Sequence, residues 1–237
     1  MSNSPPFWIQ PFIIFLFLIQ AQFNIIEWGP DPTLYNSFNY PTLDSKYPND
    51  IQILKRECYT TGYDNQRKNP AWVSYKLKDV KHKKPQKRPS HFKTDSETKA
   101  RVNQRSYKGS GYDKGHLAPN FAIATHCDRA AQLETFLMSN IVPQKPALNR
   151  GVWRKLELDT AKRSDEVWVI TGPIYSEPIK YLGRDKIQIP HSFFKIIIGK
   201  QSTQAFIIPQ TVARKTNYKD FSVTIDEIER RTKLKFP

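Results

Sequence analysis

Cysteine, methionine and glycine are scarce in this chain of 237 residues, at two, two and nine. Two cysteines cannot build a disulfide-dense scaffold, and nine glycines exclude a collagen-like repeat. Charge is missing altogether from Met1 to Ile26; Glu27 is the first charged side chain. The unbroken apolar run Phe12–Ile19 has eight residues and is bounded by Pro11, Gln20, Gln22 and Asn24. That falls well short of the roughly 20 apolar residues that a membrane-spanning helix needs.

Against these absences stands a surplus of positive charge. There are 37 Lys and Arg against 22 Asp and Glu, a net charge of +15. The stretch Lys76–Lys108 holds twelve basic and three acidic residues, so a local net of +9 sits in 33 positions. Such a density bears on partners rather than on fold, and it points to a polyanion such as nucleic acid or to an anionic membrane surface. With 38% hydrophobic and 13% aromatic residues the chain can fill a core, which excludes a disordered protein. Its length suits one domain or two very small ones.

The apolar run has the length of a signal-peptide h-region. No Lys or Arg precedes it, and Ile19 stands three residues before the cleavage junction after Ala21, where a small residue is usual. Residues 1–21 are expected to be a signal peptide, giving a secreted or periplasmic protein without stable membrane association. The alternative is an uncleaved anchor through residues 7–26. Residues 22–54, rich in Pro, Asn and Asp, read as an extended leader, and residues 55–237 as the folded domain. Cys58 and Cys127 fit export as a single bridge, because exported chains meet an oxidising compartment. Two buried thiols fit the same sequence.

Strand signals are strong at 58–63, 72–77, 167–171, 193–198 and 205–209, where β-branched and aromatic residues cluster. Residues 78–111 read as a long polar loop. A short helix is expected over 128–136 with Asp128 as its N-cap, and another over 225–233 opened by the capping-box spacing of Thr224 and Glu227. Strands and helices mix without βαβ alternation, so the fold class is α+β.

Chemistry concentrates in two segments, Gly111–Pro119 and Met138–Glu157. Taken singly their residues are ordinary: one His, an Asn that could cap the helix signalled by Val152, Trp153 and Leu156, and a Glu on a helix face. Together they suit phosphodiester hydrolysis. An imidazole titrates near neutrality and can deprotonate water, while oxygen donors suit a hydrated Mg²⁺ that needs few protein ligands. Asn149 and Glu157, eight residues apart, differ by roughly 80° around a helix and can address one ion. The basic stretch upstream supplies phosphate contacts without sequence information.

The order Asp113-Lys114-Gly115-His116, Asn140, Pro143-Gln144, Asn149, Glu157 resembles the signature of the DNA/RNA non-specific endonuclease family, the nucleases with a ββα-metal, or His-Me, finger. Asn69–Tyr75, Thr171–Pro173 and Ile189–Ile196 resemble it too. The resemblance implies a central, mostly antiparallel sheet flanked by helices. It further implies His116 as general base, Asn149 as direct ligand of Mg²⁺ (Mn²⁺ substituting), and Glu157 acting on that ion through water. Asn140 would hold the polar network near the base, and Asp113 and Gly115 would shape the motif turn. Substrate contacts would come from Lys114, Arg88 and Arg150, on DNA and RNA without strong sequence preference, leaving 5′-phosphates. The family pattern has Arg where this chain has Lys114. Lys offers a compact charge instead of a planar fork, which weakens the phosphate grip. The alternative reading is a catalytically weak nucleic-acid-binding protein that keeps the fold.

Overall fold

A computed structural model describes residues 40–78, 80 and 87–237. The expected signal peptide, most of the expected leader and part of the basic stretch lie outside the described residues. Six strands form the central sheet: β2 (Ile51–Lys55), β3 (Tyr59–Asp64), β4 (Asn69–Leu77), β7 (Val167–Ile174), β10 (Ser192–Gly199) and β11 (Thr203–Pro209). They lie in the order β11-β10-β7-β4-β3-β2, every neighbouring pair antiparallel. Each strong strand signal in the sequence is one of these strands; Cys58 falls just before β3, and the ends otherwise extend by one to three residues where pairing recruits less β-prone neighbours. Ile51–Lys55, of which the first four residues were assigned from sequence to the leader, is the edge strand, because its backbone pairs along β3 from Ile51↔Asp64 to Lys55↔Thr60.

Four helices complete the framework: α1 (Asn120–His126), α2 (Arg129–Glu134), α3 (Trp153–Ala161) and α4 (Ile225–Thr232). The long strands read as near-continuous apolar runs because both faces of the sheet are covered. One face packs on α1 and α3 through Val73, Tyr75, Val169, Phe193 and Ile197 against Ala122, Ile123, Trp153 and Leu156. The other packs Trp72, Ile170, Phe194 and Ile196 against Ile228 of α4 and the C-terminal segment. Burying a side chain such as Phe193, fully enclosed, contributes about 1.5–3 kcal/mol. Thr224 caps α4 as expected, its hydroxyl accepting from the Glu227 amide at 3.2 Å. Asp128 occupies the N-cap position of α2 but makes no capping hydrogen bond. Two short strands, β1 (Thr42–Leu43) and β12 (Leu234–Lys235), pair and tie the two ends of the described chain together, and β8 (Tyr181–Leu182) pairs with β9 (Ile187–Gln188) in a small hairpin.

The polar stretch 78–111 has one short 3₁₀ turn at Gln104–Tyr107 and is otherwise irregular where described. It is anchored rather than loose. Lys93 bridges backbone-to-backbone with Phe136 and Met138 at 2.9 Å each. Asp95, buried, receives Arg56 from the β2–β3 junction and the Ser139 hydroxyl, both at 2.5 Å. Cys58 and Cys127 are joined in a disulfide linking that same junction to the end of α1.

Candidate active site

The motif residues come together on a hairpin and a helix. Asp113–His116 forms β5, which pairs antiparallel with β6 (Ile141–Gln144) in the register Asp113↔Gln144 to His116↔Ile141. A tight turn at Leu148–Val152 then leads into α3. Gly115 is required by close approach: a Cβ there would lie 2.2 Å from the Gln144 side-chain oxygen. Gly151 breaks the turn from the helix with φ −116° and ψ −106°, and a Cβ there would meet the Arg214 carbonyl oxygen at 2.5 Å. Asn149 therefore sits in the turn, and does not cap α3 as one sequence reading allowed.

A cleft of about 510 Å³ runs between α1 and α3. Its lining includes Arg88, Lys114, His116, Asn149, Arg150 and Glu157, so six sequence-nominated residues share one cavity. Asn140 does not line it. Its side chain is fully buried, accepting from the Ala118 amide at 2.8 Å and donating to the Ala118 and Thr135 carbonyls at 3.0 Å each. Together with the Leu117 amide bond to the Asn140 carbonyl at 3.1 Å, this clamps the chain just beyond His116 from behind. Asn140 is a positioning residue and does not face the cleft.

The His116 ring packs between Phe92 and Phe136, with centroids at 5.3 and 5.0 Å. Burial, with the positive charge of Arg88, pushes its pKa down from the ordinary 6.5 to about 3, so the imidazole is neutral at pH 7. Its Nε2 is buried without a hydrogen-bond partner among the described residues. A neutral imidazole with an unengaged nitrogen is a proton acceptor awaiting a donor.

Asp113 sets the orientation of Asn149. The Asn149 Nδ2 donates to Asp113 Oδ2 at 2.9 Å, while Arg150 donates through Nε and Nη2 at 2.8 and 2.6 Å. Partial burial works to raise the Asp113 carboxyl, but the hydrogen bonds from Arg150 and Asn149 outweigh it and hold the group below the usual range. With Nδ2 committed, Asn149 has its amide oxygen left to offer, the one atom of the group that can ligate a hard cation. Arg150, expected to contact substrate, is thus also half of an ion pair inside the site.

Glu157, just over one turn into α3, has a buried Oε1 that makes no hydrogen bond of ordinary length among the described residues, with the Trp153 indole near enough to draw its pKa down. Burial pushes its carboxyl well up, and the attraction of Lys195 opposes that rise. Lys195 is the feature that sequence reasoning missed. It stands on β10 on the face shared with Phe193 and Ile197, fully buried, with Nζ 4.7 Å from the Trp153 ring centre and 3.4 Å from the Tyr75 hydroxyl. Burial lowers its own pKa while Glu157 raises it. A Lys inside a strand with both faces covered was the available signal. Arg154, Arg214 and Phe121, which also line the cleft, were missed as well. The Lys114 ammonium lies over the Phe92 and Tyr107 rings at 5.4 and 5.9 Å, and Arg88 over Phe136 at 5.4 Å.

The family model for DNA/RNA non-specific endonucleases matches residues 38–237. The chain belongs to that family. This endonuclease-family chain is 30% identical over 212 residues to the human mitochondrial endonuclease G, covering 80% of this chain and 70% of that protein. It is 31% identical over 220 residues to the mitochondrial nuclease of Saccharomyces cerevisiae (79% and 66% covered) and 28% identical over 214 residues to a nuclease of Nostoc (81% and 75%). Among solved structures it resembles EndoG in the EndoG/EndoGI inhibition complex, with a TM-score of 0.73 and 25% identity over 87% of this chain and 91% of that one. The endonuclease is accordingly a nucleic-acid hydrolase of α+β architecture, with its cleft built on the β5–β6 hairpin and α3.

The donor set fits a divalent cation. One oriented amide oxygen and one unpaired buried carboxylate oxygen are hard ligands of the kind a largely hydrated Mg²⁺ accepts. Among the described residues no group of three or more His, Cys, Asp or Glu gathers to hold a metal, so such an ion would keep most of its waters.

Proposed function

We propose that this endonuclease is an exported, Mg²⁺-dependent enzyme that hydrolyses phosphodiesters of DNA and RNA without strong sequence preference, leaving 5′-phosphates. The observation that carries the reading is the convergence of an unengaged His116 Nε2, an Asn149 amide turned by Asp113, and an unpaired Glu157 oxygen on one cleft bordered by arginines. Asn149, with Glu157 acting through water, would hold the ion, which when bound stabilises negative charge on the phosphate and on the leaving oxygen. His116 accepts the proton of a water that attacks phosphorus in line, and the P–O3′ bond breaks. Phe92 and Phe136 keep the ring aimed and exclude bulk water. Lys114, Arg88, Arg154 and Arg214 hold the backbone phosphates, contacts that carry no sequence information. Export is supported by the apolar segment Phe12–Ile19 and by the Cys58–Cys127 disulfide, a bond that persists in oxidising compartments.

The test is degradation of supercoiled plasmid and of RNA by the mature chain in Mg²⁺ and in EDTA, beside His116→Ala. Cleavage in Mg²⁺ that vanishes with chelator and with the substitution is expected. Nucleic acid bound yet uncut across divalent ions would overturn the reading in favour of a binding protein. N-terminal sequencing of the secreted protein tests export, with a start near Gln22 expected.

A further inference from the structure

Phe121 is the one large exposed apolar side chain, among the described residues, that lines the catalytic cleft. It is the second residue of α1, and the five that follow it, Ala122 to His126, are all buried. Ala122 and Ile123 join the core beneath; Phe121 does not, and it remains 38% exposed. The ring therefore forgoes much of the 1.5–3 kcal/mol or so that burial would contribute, at a position where a polar residue would serve the helix equally well. Its surroundings are cationic: Arg88, Lys114, Arg150, Arg154 and Arg214 line the same cavity. Cations that track a phosphate backbone combined with a bare aromatic face is the pairing by which proteins hold single strands, the charge gripping the chain and the ring taking a base.

We propose that Phe121 is a nucleobase-stacking subsite at the catalytic cleft, which takes an unpaired base and biases the enzyme toward single-stranded DNA and RNA. The inference rests on the cleft being the nucleic-acid site. In a duplex both faces of each base are covered by its neighbours, so the subsite fills only from a single strand, an end or an extruded base. Every base has a π-face, so the preference is for strandedness and not for sequence.

The test is equilibrium binding of the full mature chain in EDTA, where cleavage is silent. Three ligands of equal length are compared: a single strand carrying 2-aminopurine, its duplex, and a strand of abasic sugar-phosphate. Wild type is expected to bind the single strand on the order of tenfold tighter than the abasic strand and to quench 2-aminopurine. Phe121→Ala loses that tenfold and the quench but binds duplex as wild type does. Phe121→Trp keeps both, and Phe121→Leu, which preserves apolar bulk without a π-face, behaves as Phe121→Ala. Equal binding of the single strand by wild type and Phe121→Ala overturns the proposal, as does an equal loss on single strand and duplex. If wild type binds none of the three ligands, the nucleic-acid reading of the cleft itself has failed, a result distinct from the loss of stacking alone.

Discussion

Asp113 is the residue whose replacement tests the site's geometry most sharply. It accepts from Asn149 at 2.9 Å and from two nitrogens of Arg150 at 2.8 and 2.6 Å. The two interactions differ in worth. The Arg150 side chain is 61% exposed, so solvent screens its ion pair and the pair adds little to stability. The Asn149 bond is a charge-assisted contact to a carboxylate that is only 15% exposed, worth about 1.5–3 kcal/mol. Asp113→Ala should therefore cost about 1.5–3 kcal/mol of stability, through the loss of the Asn149 bond. It should also free the Asn149 amide to turn its nitrogen toward the cleft, lowering divalent-ion affinity about 10- to 100-fold, as loss of a ligand-orienting partner does. Asp113→Asn separates the two roles. Its amide oxygen, in place of Oδ2, can still accept from Asn149 and from Arg150 Nε, but its nitrogen faces Arg150 Nη2 and its charge is gone, so the ion pair is lost while the Asn149 orientation is kept. Urea denaturation gives the stabilities, and calorimetric titration with Mn²⁺, free of nucleic acid, gives the ion affinities. Asp113→Asn should retain most of the affinity that Asp113→Ala loses. Wild-type affinity in a folded Asp113→Ala protein, or equal loss in both variants, would refute the orienting role.

Three further outcomes follow from the same geometry. Lys195→Met removes the cation that most opposes the rise of Glu157 and replaces a buried charge by a near-isosteric apolar chain, so the fold should survive. The Glu157 carboxyl, already raised by burial, should rise further, weakening ion binding at neutral pH and restoring it at alkaline pH; a Mn²⁺ affinity profile unmoved along the pH axis would sink this account. In the wild type the depressed His116 keeps its base form as pH falls through 6.5, whereas the raised Glu157 protonates above the ordinary carboxylate range. Ion affinity should accordingly fall with acid before the base is lost, and a rate measured at saturating Mg²⁺ should show no acid limb at 6.5. Lys114→Arg exchanges one charge for one charge with a planar fork, so single-strand affinity should rise by a factor on the order of three while the dependence of log K on log salt keeps its slope. A changed slope or weaker binding in filter assays across salt would contradict it.

The strands of the central sheet were legible because a strand enclosed on both faces needs β-branched and aromatic residues almost without interruption, a local and visible pattern. The second helix signal at 225–233 was legible for the same reason, its cap being local. The strand at Ile51–Lys55 was not, since an edge strand is defined by its partner β3 more than by its own composition. In the site, the spacing from Asn140 to Glu157 put the right residue types within reach of one another. Arg88, separated from the motif by a stretch with no secure register, reaches the cleft because buried Asp95 pins the loop to Arg56 and Ser139.

The sequence by itself determined the chemical types: an imidazole, an amide and a carboxylate that offer oxygen, a basic surround, and strands enough for a sheet. Only the tertiary structure decided their states. It tied the Asn149 nitrogen to Asp113, set Asn140 behind His116, and buried Lys195 within the electrostatic reach of Glu157. Orientation and pKa depend on which neighbours arrive from elsewhere in the chain and on how much water they displace. In this protein those neighbours are brought together by strands as far apart in sequence as β4 and β10.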